Sequence, residues 1–313
     1  MRDFEAIAYA PNNTVVALGY FREVSSITGN LSESLAVFRA TYIMKFGQLA
    51  IIPVDISLPI VDVTAYKPAT VVSPMLPGYL NLAIHGSGVG DVEYFPTIAY
   101  TIAEGADGSS HTVLAFNPRI SLATGNYDEG KIINTGANRV TFKPQIGIGQ
   151  RFLKSMTAEL VANIGIHSTN NNFVFPNPMT GALANTPAKQ DPDLIIDAHL
   201  GMDLSRTFFL GASYYYDKAG AVKFTAMNNF VATEAQTVQS LRFSFGIRID
   251  QNTLALLQFN QDISASNGAS IERWFGVRLS HVFFEQPEPS VPKPRRETPE
   301  PVPHVNPKPD DAD

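Results

Sequence analysis

Charged side chains recur at every second position of several long segments. Arg242 and Arg248, for example, share one face of a strand-like run whose other face carries Phe243, Phe245 and Ile247. Successive side chains of a β-strand point to opposite faces, so each run has a charged and an apolar face. The charged faces hold seven acidic side chains, seven basic ones and one histidine: Arg39, Asp55, Asp91, Glu93, Arg119, Arg139, Lys143, Glu159, Asp197, His199, Arg242, Arg248, Asp262, Glu272 and Arg278. This set could form a ladder of cross-strand ion pairs, or a constriction that selects the polar end of a solute.

Other chemistry has little support in the sequence. The chain has no cysteine, and its six histidines are scattered without a metal-like pair, so we expect no cofactor and no metal site. The glycine-rich run 86–90 lacks the spacing of a dinucleotide-binding motif, and Ser87 does not lie in a nucleophile elbow. We therefore expect no enzymatic activity. A serine and a histidine brought together across strands, as in a lipid hydrolase, remain the enzymatic alternative.

Composition narrows the class of protein. The 313 residues carry a formal net charge of −6, which argues against nucleic-acid binding because phosphate contacts need clustered Lys and Arg. No run of 18 apolar residues exists, so the sequence predicts no transmembrane helix. A low charged fraction of 17% with many aromatic residues fits either a soluble β-protein or a barrel in a membrane.

Period-2 patterning predicts about twelve strands, many of them long enough to cross a bilayer when tilted. The predicted strands are 14–24, 32–45, 48–61, 91–103, 111–123, 138–151, 156–168, 191–203, 206–217, 237–249, 253–263 and 271–284. Short and long connections alternate between them, as in outer-membrane barrels with short turns on one rim and long loops on the other. The long connections, including 169–190 and 218–236, are predicted to be loops.

The loop 62–90 is unusually apolar for a solvent-exposed connection. Val71, Val72, Met75 and Leu76 lie within it. It could pack over its own rim, or it could fold into the mouth as a plug or a hydrophobic receiving site.

The uniform apolar faces favour an inverted arrangement, with apolar side chains toward lipid and charged side chains toward a lumen. Aromatic residues gather near predicted strand ends, as expected for the girdles at a membrane interface. They are Tyr42, Tyr94, Tyr100, Tyr214, Tyr216 and Trp274. The sequence therefore predicts an all-β protein, an antiparallel transmembrane β-barrel of about twelve strands.

The two ends of the chain differ from its body. Met1–Glu5 has no apolar signal-peptide region, and we expect a mature chain from which a signal peptide was removed. Residues 285–313 contain nine of the 22 prolines and no aromatic residue, which predicts a disordered, extended tail. We thus divide the chain into a barrel, 1–284, and a periplasmic Pro-rich tail, 285–313. The tail could be a solvated linker or a docking segment for a cell-wall or periplasmic partner.

Several short motifs, in consistent order over most of 30–284, resemble the outer-membrane family named for the meta-pathway of phenol degradation. They are Phe46-Gly47-Gln48, Gly88-Val89-Gly90-Asp91, Thr124-Gly125-Asn126-Tyr127-Asp128, Asn138-Arg139, Phe142-Lys143-Pro144, Gln150-Arg151-Phe152, Asp191-Pro192, Ala198-His199-Leu200 and Tyr214-Tyr215-Tyr216. Ala123 departs from the commoner Pro before Thr-Gly, and the Pro-rich tail lies outside what the family implies. The resemblance implies transport of small, often aromatic, hydrophobic compounds across the bacterial outer membrane, without catalysis.

Together these observations predict an outer-membrane channel for passive uptake of small hydrophobic or aromatic compounds, with the lipid bilayer and such solutes as its partners. The residues expected to line the pathway are Arg39, Arg119, Arg139, Lys143, Arg242, Arg248 and Asp262. The alternative is a structural or anchoring barrel with a closed lumen, whose Pro-rich tail engages the cell wall or a periplasmic partner.

Overall fold

The computed structural model describes residues 14–25, 31–65, 84–105, 110–153, 155–176, 183–227, 230–267 and 273–283. The first nine strands are β1 (Thr14–Ser25), β2 (Leu31–Phe46), β3 (Leu49–Ala65), β4 (Ile84–Val89), β5 (Glu93–Tyr94), β6 (Thr97–Glu104), β7 (His111–Ser121), β8 (Thr141–Phe152) and β9 (Met156–His167). The others are β10 (Asn170–Pro176), β11 (Leu183–Gln190), β12 (Asp193–Asp203), β13 (Phe208–Ala219), β14 (Val222–Phe224), β15 (Phe230–Thr233), β16 (Gln236–Arg248), β17 (Thr253–Ser266) and β18 (Arg273–Phe283). A single 3-10 turn, Thr225–Met227, follows β14 within the described residues. No helix in this part of the chain has the length and apolar character that crossing a membrane requires.

The long strands form one closed, antiparallel ring. Each pairs with its neighbour along the chain, and β1 closes the ring by pairing with β18. The fourth position of the ring is shared by β4, β5 and β6, which all pair with β3. Counting this broken strand once, the ring has twelve positions, in the order β1, β2, β3, β4–β6, β7, β8, β9, β12, β13, β16, β17 and β18. The predicted twelve-strand barrel is confirmed.

The two faces of the barrel wall differ as the period-2 pattern predicts. On β7, Val113 and Ala115 are 2% and 4% exposed, whereas Leu114 and Phe116 between them are 41% and 48% exposed. Large apolar side chains cover the outer face of other strands whose side chains the structure describes, for example Phe243 on β16 and Phe275 on β18. Such a continuous apolar exterior is stable in lipid and would aggregate in water. The fold is therefore an antiparallel transmembrane β-barrel.

The two rims differ in the length of their connections. Short turns join β2 to β3, β8 to β9, β12 to β13, and β16 to β17. The pairing of Val15 with Phe283 places the described ends of the chain at this short-turn rim. The strand ends that the long connections join lie at the opposite rim, which we call the long-loop rim.

The prediction that 169–190 and 218–236 are plain loops is wrong. These segments contain β10, β11, β14 and β15, which form a separate four-stranded antiparallel sheet that we call the extra sheet. Four aromatic rings from its strands cluster together. The Phe224 ring contacts those of Phe173, Phe175 and Phe230, at centroid distances of 5.9, 4.5 and 6.3 Å. Of these rings Phe224 is 4% exposed and Phe230 is 61% exposed. Long connections can form such a sheet when they pair with each other, which the pattern of a single connection does not reveal.

The fourth barrel strand also differs from its predicted span, 91–103. It begins earlier, at Ile84, and is interrupted twice, at Gly90–Val92 and at Phe95–Pro96. Pro96 has no N–H to donate to the ladder, which accounts for the second break. Gly90 packs against Pro59, where a Cβ would lie 2.8 Å from the proline ring.

Candidate functional site

One side of the barrel interior is held by paired charges. Arg39 on β2 donates to Asp55 on β3 from both Nε and Nη2, at 2.7 and 2.5 Å, and Thr41 also donates to the same carboxylate. Asp55 is only 1% exposed. Arg119 on β7 donates to both oxygens of Glu93 on β5, at 2.5 and 2.7 Å. Each of these carboxylates therefore has its charge balanced by a guanidinium on another strand of the same wall.

A phenyl ring lies beside both pairs. The Cζ atoms of Arg39 and Arg119 lie 4.8 and 4.7 Å from the centroid of the Phe95 ring. This distance allows a cation–π attraction from each guanidinium. We call the interior surface formed by Arg39, Asp55, Glu93, Phe95 and Arg119 the ion-pair wall.

The other side of the interior is built differently. Arg242 on β16 has its Cζ 4.2 Å from the Tyr215 ring on β13 and 4.5 Å from the Trp274 ring on β18. His199 on β12 meets the Tyr215 ring edge-on, with centroids 5.6 Å apart. Trp274 is buried. We call the interior surface of β12, β13, β16, β17 and β18 the aromatic wall.

Backbone pairing arranges the polar side chains of the aromatic wall in rows. One row of direct backbone partners crosses the five strands of this wall and continues to Glu159 on the neighbouring β9. Its members are Glu159, His199, Ser213, Arg242, Asn260 and Trp274. Asp197 belongs to the next row, where it pairs with Tyr215. Buried oxygens of Asp197, Ser213 and Asn260 accept no hydrogen bond within the described residues. A buried polar atom without a partner is costly, and the ion-pair wall has one such atom among its described residues, Arg119 Nε. The aromatic wall therefore has more unsatisfied polar atoms than the ion-pair wall.

The interior also has an apolar patch near the short-turn rim. Its members are buried side chains of β2, β3, β6, β7 and β9: Ile43, Ala50, Ile52, Ala99, Val113, Ala115 and Val161. Porin-type lumens are polar, and this patch makes part of this lumen compatible with apolar solutes.

The residues predicted to line the pathway do not form one cluster. Arg39, Arg119 and Arg242 lie on the interior walls described above, and Lys143 is the direct cross-strand partner of Arg119. Asp262 lies on the aromatic wall, where Asn260 donates to it at 3.4 Å.

The two remaining predicted residues lie at opposite rims. Arg139 precedes β8 in the long connection 122–140 and donates a hydrogen bond to Gln190 on β11. Arg248 lies at the short-turn rim, where it donates to Asp203 at 2.7 Å and to the carbonyl of Arg206. These two arginines join strands to turns and loops at the ends of the barrel.

Two segments that carry the family resemblance meet at the long-loop rim. Asp91, which follows β4, accepts hydrogen bonds from the backbone N–H groups of Gly125 and Ala137, both at 2.8 Å. A Cβ on Gly125 would lie 2.6 Å from the Cα of Gly136, so the two arms of the connection 122–140 touch. Asp91 thus clamps this connection to the broken barrel strand.

A chain of hydrogen bonds crosses β8, β9 and β12 near the same rim. Thr141 Oγ1 lies 3.1 Å from His167 Nδ1, and His167 Nε2 lies 2.8 Å from Asp193 Oδ2. Although the order resembles a nucleophile–histidine–acid chain, Thr141 and the His167 side chain are almost fully buried. Asp193 also accepts from Gly220 N and Gln190 Nε2. The chain of bonds therefore ties the barrel to the extra sheet.

The aromatic residues of the lumen were not predicted from the sequence. The prediction that Trp274 belongs to an interfacial girdle is wrong, because Trp274 is 4% exposed and faces Arg242. Trp274 and Arg278 are four residues apart on β18, and residues two or four apart in a strand share a face. The charge of Arg278, which was assigned to the lumen, therefore indicated that Trp274 faces the lumen too. The same alternation on β13 places Tyr215 on the interior face with the buried Ser213, and Tyr214 and Tyr216 on the outer face.

Several predicted features lie outside the described residues. They are the central part of the apolar loop, 66–83, together with Glu272 and the Pro-rich tail 285–313. In the part of the chain that the structure describes, no group of three or more His, Asp or Glu side chains is arranged to hold a metal ion.

Comparison with solved structures supports the barrel fold. The COG4313 outer membrane channel from Pseudomonas putida F1 is similar with a TM-score of 0.72 and 14% identity, covering 88% of this chain and 98% of that one. The CymD monoaromatic hydrocarbon channel has a TM-score of 0.45, 9% identity and coverages of 89% and 92%. A TodX monoaromatic hydrocarbon channel mutant has a TM-score of 0.46, 6% identity and coverages of 88% and 90%. The first likeness shows a shared fold, and the other two are too weak to support a conclusion.

Sequence comparison gives the family. No curated protein matches the chain significantly. Residues 16–274, most of the chain, match the family described as "Putative MetA-pathway of phenol degradation". The chain therefore belongs to this family.

Proposed function

We propose that the protein is a channel of the bacterial outer membrane for passive uptake of small hydrophobic or aromatic compounds. The closed ring of strands satisfies the backbone hydrogen bonds within the wall, and the apolar exterior matches the hydrocarbon of a bilayer. A barrel with short turns on one rim and long loops on the other is typical of this membrane, with the short turns in the periplasm. The lipid bilayer and the solutes are its partners.

The observation that carries the proposal is the composition of the lumen. An outer-membrane pore for hydrophilic solutes has a polar interior. Here an apolar patch around Ile52 and Val113 is combined with the ring of Tyr215 and the buried ring of Trp274. Such a lining would favour apolar and aromatic solutes over sugars or ions.

The names of related proteins agree with this proposal. The family description refers to phenol degradation, and the similar protein from Pseudomonas putida F1 is described as an outer membrane channel. We propose that Arg39, Arg119, Lys143, Arg242 and Asp262 border the pathway, with Arg139 and Arg248 at its two ends. The near balance of charge between these residues and the interior acids argues against strong ion selectivity.

Uptake by vesicles tests the proposal. Purified, folded protein is inserted into vesicles whose outer leaflet contains lipopolysaccharide, which slows unassisted entry of apolar solutes. We expect toluene to enter faster than into protein-free vesicles, while glucose and chloride show little gain. Failure of every solute to enter, with the protein folded and inserted, would contradict the channel.

The second candidate is an anchoring barrel with a closed lumen. The tight pairing of Arg39 with Asp55 and of Arg119 with Glu93 favours it, because paired charges can act as a structural ladder. On this view residues 285–313 form a periplasmic tail that engages a cell-wall or protein partner. Deletion of 285–313 would then abolish envelope attachment and leave solute entry unchanged at the background level.

A further inference from the structure

The aromatic wall contains a space between two rings that a planar group already fills. Tyr215 reaches Arg242 from β13, and Trp274 reaches it from β18, on the other flank of β16. A guanidinium is flat and delocalised and stacks on aromatic faces much as another aromatic ring does. The space between Tyr215 and Trp274 therefore has the shape and chemistry to hold a small aromatic ring in place of the guanidinium.

A second observation indicates where the guanidinium could go. Asp197 is the direct backbone partner of Tyr215, and Ser213, two residues before Tyr215, is the partner of Arg242. Asp197 and Arg242 therefore lie on adjacent rows of the aromatic wall, and the positive charges of Arg242 and Arg119 both attract the Asp197 carboxylate. Nevertheless Asp197 Oδ1 is buried and accepts no hydrogen bond among the described residues. A carboxylate oxygen in this state is an acceptor for a charged donor.

We propose that Tyr215 and Trp274 form a binding subsite for the aromatic ring of the solute, and that Arg242 is a latch which the ring displaces toward Asp197. This inference rests on the proposed function and specifies how one wall of the lumen accepts its solute. The solute ring takes over the stacking on both side chains. The displaced guanidinium donates to the Asp197 oxygen that lacks a donor, so the charge of Arg242 stays compensated inside the barrel.

The subsite selects for planarity. A flat ring contacts both aromatic faces across its whole area, whereas a puckered ring of similar size cannot lie flat against either. Toluene and methylcyclohexane have the same carbon skeleton and differ in this property. Toluene should therefore displace Arg242, and methylcyclohexane should do so weakly.

Trp274 makes the subsite directly observable, because it is the single tryptophan of the chain. The fluorescence of folded, full-length protein in detergent micelles is followed during titration with toluene or methylcyclohexane. We expect a saturable change with toluene and an apparent affinity at least about tenfold lower for methylcyclohexane. Equal responses to the two compounds would overturn the proposed subsite.

Substitutions test the latch. Arg242→Ala removes the competing guanidinium and should raise the apparent affinity for toluene about three- to tenfold, because the open state is then fully populated. Asp197→Asn should lower it about threefold or more in the wild-type background. In the Arg242→Ala background it should have no effect, since no guanidinium needs an acceptor. Asp62→Asn, an exposed position outside both walls, is the matched control.

Two results separate this inference from the proposed function. Toluene uptake without any change in Trp274 fluorescence would overturn the subsite and leave the channel intact. A saturable, planarity-dependent fluorescence change without uptake would support the subsite and contradict the channel. An Asp197→Asn effect of equal size with and without Arg242 would overturn the latch. If Arg242→Ala does not fold, Arg242→Met keeps the side-chain length without charge and gives the same test.

Discussion

The two interior walls of the barrel carry similar residue types in different arrangements. On the ion-pair wall, Arg39 and Arg119 each hold a carboxylate through two hydrogen bonds. On the aromatic wall, Arg242 stacks between two rings while an oxygen of Asp197 has no donor among the described residues. A closed bidentate pair resists change, and an unsatisfied group favours a second arrangement. We therefore expect the first wall to contribute mainly to stability, and we propose that the second recognises the solute.

The largest expected effect comes from breaking a buried pair on the ion-pair wall. Asp55→Ala leaves the Arg39 guanidinium without its bidentate partner in the barrel interior and should cost about 3 kcal/mol of unfolding free energy. Thermal unfolding followed by the shift in electrophoretic mobility measures this loss. The double variant Arg39→Met with Asp55→Leu should recover most of it, because it removes both charges together.

An exposed pair serves as the control, because it shows whether the loss of stability comes from the burial of the charges or only from the loss of a charged contact. Asp62 and His85 form a contact of 3.1 Å in which both side chains are more than half exposed. Asp62→Ala should change stability by less than about 0.5 kcal/mol, since exposed ion pairs contribute little. Equal losses for Asp55→Ala and Asp62→Ala would contradict the structural role of the ion-pair wall.

The ring between the two arginines should have an intermediate effect. Phe95→Ala removes the cation–π contacts to Arg39 and Arg119 and leaves a cavity, with an expected loss of about 2 kcal/mol. Phe95→Tyr keeps the ring and should lose much less. Unfolding midpoints of the two variants, measured side by side, check this order. A Phe95→Ala variant as stable as the wild type would show that the ring does not support the ion pairs.

Substitution of Arg242 on the aromatic wall should lower the free energy of unfolding only slightly and should change the rate of solute uptake clearly. Arg242→Ala loses at least the two cation–π contacts, which predicts a cost of at least about 1 kcal/mol, and it opens the space between Tyr215 and Trp274. Toluene uptake by this variant should rise. A stability loss as large as that of Asp55→Ala, without any gain in uptake, would make the two walls equivalent.

The smallest effect is expected in a turn outside both walls. Hydrogen bonds from the Asn252 N–H and the Thr253 hydroxyl hold the pKa of Asp250 below its ordinary value. A lowered pKa in the folded state means that the carboxylate stabilises the turn above the pKa of the unfolded chain. That contribution is lost as the pH falls through the folded pKa. Asp250→Ala should thus be slightly less stable than the wild type near pH 7, and the difference should vanish in acid. A difference that does not change with pH would contradict this role.

Much of the barrel follows from local pattern. The alternation of Leu241, Phe243 and Phe245 with Arg242 and Ser244 predicts both the strand and its two faces, because the side-chain period of a strand is two. Strand number and the alternation of short and long connections follow from the same pattern. The extra sheet of β10, β11, β14 and β15 does not, since its strands come from two connections far apart in sequence, and the pattern of either one does not show that they pair.

The candidate site was predictable only in part. The alternation of faces predicts that Arg39, Arg119 and Arg242 share the interior face, and the structure gives each of them a contact with a side chain of another strand or loop on that face. Parity does not tell which charges pair with each other and which stack on rings, because that depends on contacts across strands far apart in sequence. Trp274 was misassigned for a related reason: a position near a strand end suits both a membrane girdle and a lumen.

The most direct test of the two-wall account is the initial rate of toluene uptake by lipopolysaccharide-containing vesicles. It compares wild-type protein, Arg242→Ala and the double variant Arg39→Met with Asp55→Leu. We predict uptake above protein-free vesicles for all three, an increase of several-fold for Arg242→Ala, and an unchanged rate for the double variant. An unchanged rate for Arg242→Ala together with a changed rate for the double variant would contradict the account.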